Sequence, residues 1–182
     1  MRFDALHPET MPLDFLEFAN HCELLSEGRV LPRQQDFSLA DVSWLIGRLY
    51  ELDVHHAVPD FYFRTFGIFW QALYGEDFTG RWLSEYELRT DKLDALRAQY
   101  DRVVTTRAPV MCRSRLIWPG DVEISFDRLL IPFSLDGETV SQIVVAAHYD
   151  ADVEDLVYFR GEGLPRVTID DDQEPMRLPL AS

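Results

Sequence analysis

Hydrophobic residues along this chain follow two different spacings, and each change of spacing marks an element. From Leu13 to Glu27 they recur every three or four positions, at Phe15, Phe18, Cys22 and Leu25, with Leu16 and Ala19 beside them. That spacing predicts an amphipathic helix. Pro12 suits its start, where a missing N–H is harmless, and Gly28 suits its end. Leu31-Pro32-Arg33 then extends the chain, and Ser38 is placed to cap a short helix over Leu39 to Ile46. The period next falls to two. Tyr50, Leu52 and Val54 point one way, Glu51 and Asp53 the other, so Leu49 to Val54 reads as a strand. A turn from His55 to Asp60 leads into a second strand, Phe61 to Phe66, and so short a connection predicts an antiparallel hairpin. Gly67 marks the switch to a short apolar helix, Ile68 to Tyr74, which stops at Gly75.

The helical period returns over Lys92 to Thr106, with Leu93, Leu96, Tyr100 and Val103 on one face, and Pro109 closes that helix. Three strands follow: Val110 to Trp118, Val122 to Phe133, and Thr139 to Tyr149. Turns at Pro119-Gly120-Asp121 and Asp136-Gly137 separate them. The uninterrupted run Ile143-Val144-Val145-Ala146-Ala147 predicts a strand buried on both faces. Two strands, then helices, then three strands imply an α+β fold, a five-stranded antiparallel sheet with helices on one face, preceded by an N-terminal helix. The corresponding division is residues 1–30 as a helical extension, 31–150 as the domain, and 151–182 as a tail. Leu156 to Phe159 is apolar enough to cover part of the domain before the chain turns polar at Asp170-Asp171-Asp172.

Charge narrows the partners. Lys and Arg number 17 against 32 Asp and Glu, a net charge of -15. Such a balance repels phosphate backbones and anionic membranes, so no nucleic-acid binding is expected, and an acidic ligand would need a local basic exception. Cys22 and Cys112 form neither a metal spacing nor a disulfide framework, which suits a reducing compartment. No apolar run approaches the ~20 residues of a membrane helix, and MRFDALHPETMP lacks the core of a signal peptide. The expectation is a soluble, cytoplasmic protein without membrane insertion.

Several short motifs stand in a fixed order: Leu31-Pro32-Arg33; Arg64 and Gly67 at a strand end; Gly75, Asp77, Thr79, Gly80 and Arg81 in a Gly-x-Asp-x-Thr-Gly-Arg turn; Pro109; and Pro132, Ser134, Asp136 and Gly137 as Pro-x-Ser-x-Asp-Gly. In motif and element order the chain, from Leu13 to Ala147, resembles a bacterial family of stand-alone PAS-like domains. It departs from the family pattern at Ile68, Gln34 and Leu39, where Thr, Arg and Pro are common. The resemblance implies a sensory or regulatory module that binds a small molecule or a protein, with no enzymatic activity. It also implies signalling through a protein partner, since the chain has no room for a fused output domain.

A PAS-type pocket lies between the sheet and the short helices. The residues expected to line it are Tyr50, Phe63, Phe69, Trp70, Leu73, Tyr100, Met111 and Arg113. Aromatic residues also fill volume, so a packed core with no pocket is the alternative. Arg64, Arg113 and Arg115 are the basic residues that could clamp a carboxylate bidentately if one points inward. His55 and His56 are adjacent on extended chain and point to opposite sides, so no metal site is expected of them, and no cofactor is implied. No GxSxG, HExxH or phosphate-binding glycine loop is present, and no catalytic residue is assigned. The stripe Phe15, Phe18, Cys22, Leu25 has two outlets, its own sheet or a copy of itself. The expectation carried forward is a homodimer built on it.

Overall fold

Residues 11–85, 93–118, 122–149 and 166–169 are described by the computed structural model of the chain. Its helices are α1 (Leu13–Ser26), α2 (Ile68–Tyr74) and α3 (Leu93–Thr106). Its strands are β1 (Leu49–His55), β2 (Asp60–Phe66), β3 (Val110–Trp118), β4 (Val122–Ser134), β5 (Val140–Tyr149) and β6 (Arg166–Ile169). They form one sheet in the order β2-β1-β5-β4-β3-β6, and every neighbouring pair is antiparallel. The α+β class and the five expected strands are present, within one or two residues at their ends. The sixth strand was not anticipated. Arg166–Ile169 pairs with Ser114 to Ile117 and supplies partners to the otherwise open edge of β3. The apolar stretch Leu156 to Phe159 lies outside the described residues.

Both faces of the sheet are covered, by different layers. Tyr50, Leu52, Phe126, Leu130, Ile143 and Val145 face α2 and α3. Their sequence neighbours Leu49, Leu129, Ile131, Val144 and Ala146 face α1 and the 3-10 turn Leu39–Leu45. The run from Ile143 to Ala147 is consequently fully buried, as its lack of polar alternation implied. The one-sided arrangement therefore holds for α2 and α3 but not for the short helix expected over Leu39 to Ile46, which is a 3-10 segment on the second face beside α1.

The stripe expected to form a dimer seam packs on the chain's own sheet. Phe15, Phe18 and Cys22 have no exposed surface within the single chain, and Leu25 packs beside them on the same core. An ion-pair cluster docks the helix from its first turn. Asp14 accepts a 2.7 Å hydrogen bond from Arg48 and lies 3.1 Å from His148 Nδ1 on β5. Fully burying each large apolar side chain contributes ~1.5–3 kcal/mol, and the sheet's second face supplies the apolar surface that the stripe needs.

Two of the short motifs are scaffolding. Ser134 N–H donates to Pro32 O at 3.0 Å, so the Leu31-Pro32-Arg33 segment meets the Pro-x-Ser-x-Asp-Gly strand end. Asp136 accepts from the Ser134 hydroxyl at 2.7 Å and from Thr139 N–H at 2.7 Å, closing the turn. In the Gly75 to Arg81 segment, Thr79 N–H donates to Asp77 Oδ1 at 2.8 Å. The turn is then stitched to β2 by Gly80 N–H to Phe63 O at 2.8 Å and Phe63 N–H to Arg81 O at 2.9 Å. This brings Phe78 into the core as a buried ring against Phe63 and Phe66.

Asp60 fastens α3 to the start of β2. Its carboxylate accepts from Ser84 Oγ at 2.8 Å, Phe61 N–H at 2.9 Å and Arg97 Nη2 at 2.9 Å. Burial opposes its ionisation, but these hydrogen bonds and the Arg97 charge outweigh it and hold the carboxyl below its ordinary value. A lowered native value means stability that is present above the unfolded carboxylate range, near pH 4, and lost as the pH falls through the native value. Asp60→Asn is expected to cost about 1–3 kcal/mol at neutral pH and to flatten the loss of stability below about pH 4. Thermal melts of both proteins between neutral and strongly acid pH check this. Parallel acid limbs would show that the carboxylate is not the linked group.

Candidate functional site

Between the α2/α3 layer and the sheet lies a cavity of about 30 Å³ lined by Tyr50, Phe63, Phe66, Trp70, Tyr74, Leu96, Tyr100, Ser114, Phe126 and Arg128. Strand alternation builds its floor. Tyr50 on β1, Ser114 on β3, and Phe126 and Arg128 on β4 all stand on the same face. Gly67 admits α2 close to the sheet, and Trp70 is then fixed by its indole N–H donating to Arg48 O at 3.1 Å. Its ring meets Tyr50 edge-on at 5.1 Å and Phe126 edge-on at 5.7 Å between centroids. Phe63 and Phe66 close the neighbouring wall at 5.5 Å from each other. The cavity is thus aromatic on most sides.

Its polar end is Arg128, only 4% exposed. Nη1 donates to the Tyr50 hydroxyl at 3.3 Å, and Nη2 donates to Gln99 Oε1 on α3. Tyr50 and Tyr100 share a 2.9 Å hydroxyl hydrogen bond, and the Cys112 thiol donates to the same Gln99 oxygen at 3.4 Å. No carboxylate among the described residues pairs with this guanidinium. Arg128 Nε and Ser114 Oγ are both buried and have no hydrogen-bond partner there.

The neighbouring acids do not supply the missing negative charge. Burial pushes the Tyr50 and Tyr100 hydroxyls up from their ordinary values, Tyr100 strongly, and burial likewise pushes the Cys112 thiol up, all against the pull of Arg128. They are neutral at physiological pH, whereas a guanidinium keeps its charge. An isolated buried cation is costly, since its desolvation is not repaid by a partner. The described residues around Arg128 supply neutral hydrogen bonds only.

Of the residues expected to line a pocket, Tyr50, Phe63, Trp70 and Tyr100 line this cavity. Phe69 does not; it is buried beside it with its ring 4.4 Å from Tyr149. Leu73 lies on α2, and its side chain is outside the described residues. Met111 and Arg113 are on the wrong face. Met111 packs against the α1 core, and Arg113 lies 3.9 Å from Asp127. The alternation that sends them outward turns Cys112 and Ser114 inward. Arg64 is also outside the cavity, paired with Asp53 at 2.9 Å.

The inward arginine is therefore Arg128, which was not among the candidates. Its signal was parity: in Phe126-Asp127-Arg128-Leu129-Leu130 it shares a face with Phe126 and Leu130. His55 and His56 do face different partners, with His55 edge-on to Trp82 at 4.6 Å and His56 Nε2 2.9 Å from Val140 O. Among the described residues no group of three or more His, Cys, Asp or Glu side chains is arranged to hold a metal ion. No described helix is long and apolar enough to cross a membrane. Comparison with family models, with curated proteins and with solved structures finds no match to this chain.

Proposed function

We propose that this chain is a PAS-like sensory or regulatory module that binds a small molecule in the cavity between its sheet and α2/α3. In this reading it is a cytoplasmic protein that passes the bound state to a protein partner and carries out no catalysis. The observation that carries the reading is the aromatic-walled cavity with a buried arginine at its polar end that no described carboxylate pairs. Ligand sites are typically apolar recesses with few polar anchors, and this one has that composition. The antiparallel sheet, with its strand pair, helices and strand triplet in that order, supports the PAS-like part. A ligand here would touch α2, α3 and β4 at once, so binding could alter how α3 rides on the sheet.

The test is native mass spectrometry of the protein after exposure to a small-molecule extract of its host, with melting curves on the same samples. The expected result is a retained adduct and a raised melting temperature, both lost in Ser114→Leu, which fills the cavity from its floor. A second reading, a protein-interaction adaptor with no ligand, is favoured by size. The cavity of about 30 Å³ is far below the roughly 300–1,000 Å³ of drug-sized sites. An unchanged mass and melting curve in every extract would decide for the adaptor.

A further inference from the structure

Resting on the small-molecule reading above, we propose that the ligand is a short-chain monocarboxylate, its carboxylate held by Arg128 and its alkyl end lodged among the aromatic rings. Charge selects the class. The cavity contains a permanent cation, only 4% exposed, with no anion among the described residues to offset it. Of the five N–H donors of a guanidinium, one meets the Tyr50 hydroxyl and one meets Gln99, which leaves Nε–H and two others unassigned. A planar fork of this kind matches a carboxylate. The Ser114 hydroxyl, 1% exposed and without a hydrogen-bond partner, lines the same cavity as a second donor.

The remaining walls set the rest of the ligand. Arg128 is the one cationic residue among those lining the cavity, which disfavours a dicarboxylate. Phe63, Phe66 and Phe126 carry no donors and the Trp70 indole N–H is committed to Arg48 O, so these walls leave the extra oxygens of phosphate or sulfate desolvated. A volume of about 30 Å³ holds roughly two waters, so the alkyl part is short. The protein's net charge of -15 makes this the local basic exception that any anionic ligand requires.

The experiment titrates the full chain with acetate and propionate, with their neutral isosteres acetamide and propionamide, and with inorganic phosphate. It uses calorimetry and follows the Arg128 Nε–H resonance by ¹⁵N correlation spectroscopy. The expected result is at least a tenfold preference for the carboxylate over the matching amide, with the Nε–H resonance displaced by the carboxylate alone. Arg128→Gln is expected to remove that preference, Arg128→Lys to retain part of it, and Ser114→Ala to weaken carboxylate binding several-fold. If Arg128→Gln does not fold, the wild-type resonance and Ser114→Ala decide the matter. Equal affinity for acid and amide overturns the carboxylate assignment while leaving a small-molecule module standing. Tighter binding of phosphate than of propionate also overturns it. No displacement of any lining residue by these probes or by the host extract overturns both this inference and the reading on which it rests.

Discussion

Gly67→Ala is expected to cost about 3 kcal/mol or more, at or beyond the upper end of ordinary overpacking. A Cβ built at Gly67 would sit 2.3 Å from Gly47 O and 2.5 Å from Leu49 O, both backbone atoms. Neither can swing aside as a flexible side chain would. The approach is close because the backbone hydrogen-bonds there: Gly67 N–H donates to Leu49 O at 2.9 Å, and Phe69 N–H donates to Gly47 O at 3.1 Å. These bonds seat the first turn of α2 on β1 and so place Trp70 over the cavity. Backbone torsion is not the reason, since φ at Gly67 is -59°. For a domain of this size the loss corresponds to a fall of roughly 6–12 °C in melting temperature. Gly80 makes the comparison. Its φ of +84° strains any L-residue, but a Cβ there meets nothing closer than the Tyr62 hydroxyl at 3.6 Å. Gly80→Ala is therefore expected to cost only about 1–2 kcal/mol. Melting curves of the two variants check the ranking, and a Gly80→Ala loss larger than that of Gly67→Ala would show that the close approach is misassigned.

Phe18→Glu is expected to unfold the protein, whereas a dimer seam on α1 would have left a folded monomer. Phe18 is fully buried between α1 and the second face of the sheet, among Phe15, Cys22, Leu129, Ile131 and Phe133. Truncating such a ring costs about 3–5 kcal/mol. A carboxylate in its place adds the penalty of an unpaired buried charge. Against a total of about 5–15 kcal/mol for a typical domain, few folded molecules would remain. Circular dichroism with sedimentation velocity distinguishes the outcomes. A folded, monodisperse Phe18→Glu protein would mean that α1 does not dock on its own sheet in solution.

Gly67 and Gly80 both stand where the chain changes direction, and the structure gives them different roles. Gly80 needs freedom of torsion, a property of one residue and its turn. Gly67 needs space, which the backbone of one segment far from it in sequence, at Gly47 and Leu49, takes away. A similar division runs through the pocket. Tyr50, Phe63, Trp70 and Tyr100 could be named in advance because each sits on an apolar period with unambiguous neighbours. On β3 the reading Met111-Cys112-Arg113-Ser114 offers an equally mixed pair of faces, and choosing the wrong one moved two candidates to the other side of the sheet.

The sequence by itself determined where elements begin and end, because period, proline and glycine act over a few residues. It determined the α+β class, the antiparallel character of the five main strands, and the burial of Ile143 to Ala147 on both faces. Tertiary structure decided which layer each face meets, since a period of two defines two faces but does not label them. It decided that α1 covers the second face of its own sheet, because that face is apolar and Arg48 and His148 stand where Asp14 arrives. It also decided that Arg128 is the charge inside. Nothing near Arg128 in the sequence shows that no described carboxylate pairs with it. Gln99, Tyr50 and Cys112 reach it only when β1, α3 and β3 are packed together, and that packing sets neutral groups, with no carboxylate among the described residues, at its side.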